Sequence, residues 1–323
     1  TTLLGPRTIY NQSQLQEPRH LFLHIFSEYE RFKQQHRLVD YTDMLVNLAA
    51  KPQVVPKFKV CLLDEAQDLT PLQWEIVKNL DQKAERLFLA GDDDQGIFRW
   101  AGADVTRFIS LPGGSETLKQ SYRIPQKIWT VADTVSKRIK RRQKKDWFPR
   151  PELGEAHHIY DTYGMNFPAE QEWLILSQAH YQVTALAQQL KTDGVFFERF
   201  GEASLGKKIR QAILSWQYLQ QEDNEISLSE AVNLYQHIST GPEKIRKGAK
   251  TLLKSADEKE QFTLGFLQQH YGLRATGPWE TALDRIKEDK RAYAATLLAN
   301  GVDLRQAPKI KISTIHGAKG GES

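Results

Sequence analysis

The sequence predicts an α/β fold with parallel sheets, divided into at least two domains. Three observations lead there. Near-continuous apolar runs at 58–63, 87–90 and 173–177 have the length and composition of strands buried on both faces of a parallel sheet. Segments of helical periodicity separate and follow them, the alternation that builds such sheets. The 323 residues exceed the roughly 100–200 of one ordinary domain.

The elements follow in order. Residues 1–20 are polar and without period. From 20 to 37, Leu21, Ile25, Tyr29 and Phe32 recur at three- and four-residue steps and predict a helix. Asp40 is a good N-cap for a second helix over 41–50, which Pro52 and Pro56 end. The run 58–63 is a strand that stops at Asp64-Glu65. Pro71 suits the first turn of a helix over 71–80. The strand 87–90 runs into Gly91-Asp92-Asp93-Asp94-Gln95, and Pro125 stands near the start of a helix over 125–140. Seven of the nine residues 137–145 are basic, and Pro149 and Pro151 come just after, so this stretch reads as a linker at the first domain boundary. A strand over 173–177, a helix over 180–191 and a strand beginning at Gly194 open the second domain. Residues 205–300 read as polar and mostly helical, with turns at Gly241-Pro242 and Gly277-Pro278. A last strand, 309–314, alternates through Ile310 and Ile312 and runs into His316-Gly317-Ala318-Lys319-Gly320-Gly321-Glu322.

Composition narrows the class. Apolar residues make up 40% and charged residues 26%, ordinary globular usage, which excludes a disordered, collagen-like or coiled-coil chain. No apolar stretch approaches the roughly 18 residues of a membrane span. The lone Cys61 forbids an internal disulfide and fits a reducing compartment. A net charge of +4 says nothing about partners without its distribution.

Chemistry gathers where the strands end, which is where open α/β sheets bind ligands. Adjacent carboxylates at Asp64-Glu65 suit a hard cation and the orientation of an attacking water, and equally a solvated strand end. Three successive acids, Asp92 to Asp94, repel one another and need water or a cation to relieve them. The Gln95 amide can sense a terminal phosphate. Phe98 and Trp100 flank Arg99, a pattern that suits base stacking along a single strand or burial in a core.

Four blocks taken together carry a resemblance. They are Asp64-Glu65-Ala66-Gln67-Asp68-Leu69-Thr70-Pro71, the stretch from Gly91 through Gln95 to Asp104, Leu118-Lys119-Gln120-Ser121-Tyr122-Arg123, and Ser313-Thr314-Ile315-His316-Gly317-Ala318-Lys319-Gly320-Gly321-Glu322. In this order they resemble motifs II to V of the UvrD/Rep/PcrA group of superfamily 1 DNA helicases, of phage type in the Gly-Gly-Glu ending. Val39-Asp40-Tyr41-Thr42-Asp43 resembles a segment the family carries upstream of motif II. The resemblance implies two RecA-like parallel-sheet domains, a P-loop NTPase helicase core that clamps ATP and moves on single-stranded DNA, with a helical insertion in the second. It divides the chain into 1–20, the tail of an insertion in the first motor domain; 21–136, the C-terminal part of that domain; 137–151, a basic linker; 152–204, the start of the second domain; 205–305, a reduced helical insertion; and 306–323, a truncated return.

Residue by residue, the resemblance implies that Asp64 binds Mg²⁺ and Glu65 activates the hydrolytic water. Gln95 would report the γ-phosphate, Tyr122 stack on adenine and Arg123 act as an arginine finger in cis. Gly320 and Glu322 would join the ATP site. Thr314 and His316 would touch the DNA backbone, and Phe98 and Trp100 the bases. The implied activity is 3′-to-5′ translocation and unwinding driven by ATP and Mg²⁺, with single-stranded DNA and duplex junctions as partners and repair or replication as the setting. A non-catalytic DNA-binding or scaffold protein derived from a helicase is the alternative, and a metal-dependent nuclease using the Asp64/Glu65 and Asp92–Asp94 acids a third reading.

The chain also departs from the family. Ala101 stands where Arg is usual, Gly96 where Ser is common, Ser121 where Asn is common and Gly321 where Leu is usual. The 191 residues from Arg123 to Thr314 are fewer than in members with a long insertion. Nothing in 1–60 matches the phosphate loop, the final arginine motif does not appear, and the chain opens on Thr1, so a fragment of a longer protein is expected, inactive as an ATPase by itself. Gly201-Glu202-Ala203-Ser204-Leu205-Gly206-Lys207-Lys208 has phosphate-loop spacing, but Lys208 replaces the Mg²⁺-binding hydroxyl, and a loop opening the helical insertion is expected there. The basic run 137–145 fits DNA phosphates or a solvated helix end equally well.

Overall fold

The computed structural model describes residues 12–159 and 171–321, with side chains from residue 19 onward. Glu322, and the parts of the predicted tracts at 1–11 and 160–170, lie outside the described residues. Two compact units divide after residue 161.

In the first unit, α1 (Gln12–His36) is followed by α2 (Tyr41–Ala50). Asp40 caps α2 as predicted, accepting from the Asp43 amide while Asp43 accepts from that of Asp40, a reciprocal capping box. Lys33, on α1, is buried and donates to Asp40 at 2.9 Å and Asp43 at 2.8 Å, which fixes the angle between the two helices. Strand β1 (Phe58–Leu63) leads through a short 3-10 turn into α3 (Pro71–Asp81), where Thr70 and Gln73 form a second capping box ahead of Pro71. Strand β2 (Ala84–Leu89) pairs in parallel with β1, Leu62 opposite Phe88. Leu63, Leu87 and Leu89 pack on Trp74 and Val77 of α3. The opposite face was expected to be buried and is not: Leu62 is 76% exposed and Phe88 53%. Among the described residues this sheet has two strands, and packing covers one side, so an uninterrupted apolar run here folds as an alternating one. Helices α4 (Val105–Ile109) and α5 (Gln126–Ser136) complete the unit.

Helix α5 stops at Ser136, four residues before the predicted end, and the basic segment that follows does not leave the unit. Arg142 and Lys145 pair with the acids at 92–94, Phe148 bridges to Gln120, and Gln126 and Lys127 donate to the carbonyls of Glu152 and Leu153. The stretch read as a linker, 137–151, is therefore packed against the first unit.

The second unit opens with β3 (Trp173–Ser177), α6 (His180–Thr192), β4 (Phe197–Arg199) and β5 (Glu202–Ala203). Then come α7 (Lys207–Leu219), β6 (Ile226–Ser227), α8 (Leu228–Gln236), α9 (Ala249–Lys254), β7 (Gln261–Phe262), α10 (Leu264–His270), α11 (Trp279–Ala282) and α12 (Glu288–Ala299). The chain returns through β8 (Ile310–Thr314) and α13 (Ile315–Ala318). The sheet order is β3-β8-β4-β5, with β8 parallel to both neighbours. Val183, Ala187 and Leu190 of α6 cover Phe197, Ile310 and Ile312. The helices between β5 and β8 build their own larger core around Trp216, Leu234, Tyr235, Phe262 and Leu297. Mixed α/β structure with parallel sheets is thus present in both units.

Candidate nucleotide and nucleic-acid site

Two loops at the carboxyl ends of β1 and β2 lie side by side because the strands are parallel and in register. The Ala90 amide donates to the Leu63 carbonyl at 2.8 Å, and the Ala66 amide donates to the Ala90 carbonyl at 2.9 Å. A cavity of about 270 Å³ opens between the strand ends, lined by Leu62, Leu63, Asp64, Phe88, Leu89 and Ala90. Asp64 thus sits at its rim. Its carboxylate accepts from the Glu65 amide at 2.8 Å. Glu65 itself has φ 53° and ψ 36°, left-handed backbone that a side-chain-bearing residue seldom adopts. Such outliers concentrate where a loop must hold one geometry for function.

Gln67, which sequence reasoning passed over, joins the two loops. It is fully buried, its Nε2 donates to the Glu65 carboxylate, and its Oε1 accepts from the Asp92 amide at 2.9 Å. Gly91 is required beside it, since a Cβ there would stand 2.4 Å from Gln67 Oε1. Gln95 closes a short 3-10 turn capped by Asp92, and its Nε2 donates to Asp92 Oδ2 at 2.7 Å. Glu65, Gln67, Asp92 and Gln95 form one hydrogen-bonded chain.

The three acids find their cations within the protein. Arg142 forks onto Asp94 at 2.8 and 2.6 Å, and Lys145 Nζ reaches Asp92, Asp93 and Asp94. Burial works against ionisation of Asp92, but the bonds from Lys145 and Gln95 outweigh it and hold the carboxyl below its ordinary range. Among the described residues the three acids close enough to share a cation are Glu30, Asp40 and Asp43, and Lys33 Nζ already occupies that position.

The aromatic residues fall as follows. Trp100 is 64% exposed on a short turn after the acid loop, not in a core, and Phe98 is half-buried. Gly96 is explained by its neighbour, because a Cβ there would stand 2.6 Å from Val105 Cγ2. Tyr122 and Arg123 are both exposed, in a turn held by Ile124 donating to Ser121 Oγ at 3.2 Å and Ser121 donating to the Phe148 carbonyl at 2.8 Å. In the second unit Thr314 is buried, and its hydroxyl caps α13 by accepting from the Gly317 amide at 3.0 Å. His316 is half-buried and Gly320 exposed with φ 82°. Glu322 lies outside the described residues. The segment 201–208 is a hairpin tip at Phe200-Gly201 running into Gly206, the N-cap of α7, so its phosphate-loop spacing forms no phosphate cradle.

Comparison with known proteins agrees with the motifs. Residues 3–113 match the UvrD/REP helicase N-terminal domain. The chain is 36% identical over 125 residues to a probable DNA helicase II homolog of Mycoplasma pneumoniae, a match covering 34% of this chain and 18% of that protein. It is 24% identical over 254 residues to the ATP-dependent DNA helicase PcrA of Staphylococcus aureus (69% of this chain, 35% of that protein) and 24% over 245 residues to PcrA of Bacillus subtilis (65% and 33%). The chain spans about a third or less of the length of these curated relatives.

Proposed function

We propose that this chain, which is UvrD/Rep/PcrA-like, belongs to an ATP-dependent DNA helicase that moves 3′ to 5′ on single-stranded DNA, and that it contributes the motif II to motif V part of the motor. The observation that carries the reading is the hydrogen-bonded chain joining Glu65, at the end of one parallel strand, to Gln95, at the end of the next. A water-activating carboxylate and a phosphate-sensing amide must move together if hydrolysis is to be reported, and Gln67 and Asp92 supply that link.

The donor set fits the nucleotide. Bound ATP with Mg²⁺ supplies the phosphoanhydride to be cleaved and the counter-charge on its phosphates. Asp64, a hard oxygen donor at the cavity rim, would hold the cation. Glu65 would orient the attacking water and take its proton. Arg123 would donate to the terminal phosphate as charge develops, and the exposed Tyr122 ring offers a flat face to adenine. Phe98 and Trp100 would stack on bases, and Thr314, His316, Gly320 and Glu322 carry over from the family pattern. Pairing of all three acids at 92–94 with Arg142 and Lys145 argues against the nuclease reading, because a metal there would first have to displace both cations. No described helix is long and apolar enough to cross a membrane.

The test is DNA-stimulated ATP hydrolysis and unwinding by the full-length protein. Glu65→Gln should bind Mg²⁺-ATP and lose turnover, and duplexes with a 3′ single-stranded tail should open where 5′-tailed ones do not. Near-normal hydrolysis by Glu65→Gln would falsify the site assignment. The 323-residue chain, which contains no phosphate loop, should hydrolyse ATP at no useful rate.

A further inference from the structure

We propose that Lys145 and Arg142 are positioning residues of the nucleotide site, a clasp that the segment after α5 closes on the 92–94 loop and that sets where Gln95 presents its amide. The proposal rests on the reading of Gln95 as phosphate sensor.

The contacts come from one short stretch and fall on the acids, apart from a bond from Gln143 Nε2 to the Ile109 carbonyl at 3.4 Å. Arg142 binds Asp94 through both Nε and Nη2, the planar fork that a lysine cannot reproduce. The Gln143 amide donates to Asp93 Oδ2 at 2.8 Å. Lys145 Nζ sits against Asp92 Oδ1 and Asp93 Oδ1 and stands 3.3 Å from Asp94 Oδ2. Asp93, Asp94, Arg142 and Lys145 are all largely withdrawn from water, so screening does little to loosen them. The consequence for the site lies in Asp92. Its Oδ1 is shared by Lys145 and the Asp94 amide, the latter at 3.2 Å, and its Oδ2 accepts from Gln95 Nε2 at 2.7 Å. Without Lys145 that Oδ1 keeps only the longer bond from the Asp94 amide, the carboxylate is held less firmly, and Gln95 turns with it.

The same geometry divides the basic run by role. Arg142 and Lys145 are committed to the loop, while Arg138, Lys140, Arg141 and Lys144 are exposed. A trypsin digest of the 323-residue chain should therefore cut after Arg138, Lys140 and Arg141 at least about tenfold faster than after Arg142 or Lys145, because cleavage at a clasped bond waits for local opening.

The decisive test is the Gln95 side-chain amide resonance pair of the labelled chain, assigned by its loss in Gln95→Ala. Lys145→Gln should shift the pair, Lys145→Arg should leave it in place, and Asp92→Asn should shift it without a change of shape. The buried Trp74 indole resonance shows in each variant that the unit is still folded. In the full-length protein Lys145→Gln should lower kcat for ATP by roughly 10–10²-fold, the scale of a small misplacement, with KM for ATP little changed, and Lys145→Arg should restore it. An unmoved Gln95 pair in Lys145→Gln, with Asp92→Asn shifting it and the Trp74 signal intact, overturns the clasp. A shifted pair together with full turnover by Gln95→Ala keeps the clasp and removes instead the sensor reading on which its catalytic consequence depends.

Discussion

The buried side-chain carbonyl of Gln67 accepts the backbone N–H of Asp92 across 2.9 Å, binding the loop after the first strand of the first unit to the loop after the second. A backbone amide is a fixed donor, so this bond ties the Glu65 loop to the position of the acid loop itself and not merely to one rotamer. Gln67→Leu has similar bulk and neither polar group. It should cost roughly 1–3 kcal/mol, the scale for stranding a buried donor, read as a lower urea midpoint at unchanged slope. Gly91→Ala should destabilise by the separate route of overpacking, since the new methyl meets Gln67 Oε1 at 2.4 Å and Phe108 Cζ at 2.9 Å. Full stability in both variants would mean that the loops are held elsewhere.

Arg123 stands exposed on a pinned turn, so removing its side chain opens no cavity. Arg123→Ala in the full-length protein should keep its thermal midpoint and lose roughly 10³–10⁵ in ATP turnover, the worth of an arginine finger. Retained turnover would return the residue to the surface.

A third expectation concerns acid. Asp40 accepts the Asp43 amide, a bond from buried Lys33 and one from the Tyr29 hydroxyl, which together hold its carboxyl down to about 2. In the unfolded chain an aspartate titrates near ~3.9. A group depressed in the folded state stabilises fully above its unfolded pKa and loses that contribution as pH falls through the folded one. Wild type should therefore exceed Asp40→Asn in stability at about pH 5, and the gap should close between about pH 4 and pH 2. Chemical unfolding of both proteins across that range measures it, and a gap independent of pH would show that the carboxylate charge is not what Lys33 requires.

What could be read in advance was whatever a residue announces locally. Asp40 before an apolar helix, Thr70-Pro71 before another, and the alternation of Ile310 and Ile312 each placed an element that the structure contains. What escaped was long-range. Gln67 lies between acids and looks like spacing until Asp92, 25 residues on, is seen to donate to it. Arg142 and Lys145 belong to a charge run that suits DNA or solvent, and their true partners lie 48 to 53 residues back. The apolar run at 58–63 could not say how many of its faces are covered, because composition is the same for one or two. Strands of two residues, such as those at 226–227 and 261–262, are too short to have a period.

The DNA track gives the last expectation, and the clasp changes how it must be tested. Trp100 is largely exposed, so Trp100→Ala should leave stability unchanged within about 0.5 kcal/mol, as for an ordinary surface substitution. If its ring stacks on a base, the variant should lose roughly 1–3 kcal/mol of single-strand binding, and ~1.4 kcal/mol is a tenfold weaker affinity. Stacking releases no counterions, so the salt dependence should keep its slope. Lys140→Ala and Arg141→Ala should do the reverse if their exposed charges meet phosphates, each reducing the slope by about 0.7 with little effect of base identity. Arg142→Ala belongs to neither class: its charge is spent on Asp94, and the cost should appear in the unfolding midpoint rather than the salt slope. Salt titrations of fluorescent oligonucleotide binding by the full-length protein, run beside urea unfolding of the same variants, separate the three. Unchanged affinity for Trp100→Ala would remove the ring from the track, and a salt slope that falls with Arg142→Ala at unchanged stability would mean that the arginine leaves Asp94 to meet the DNA.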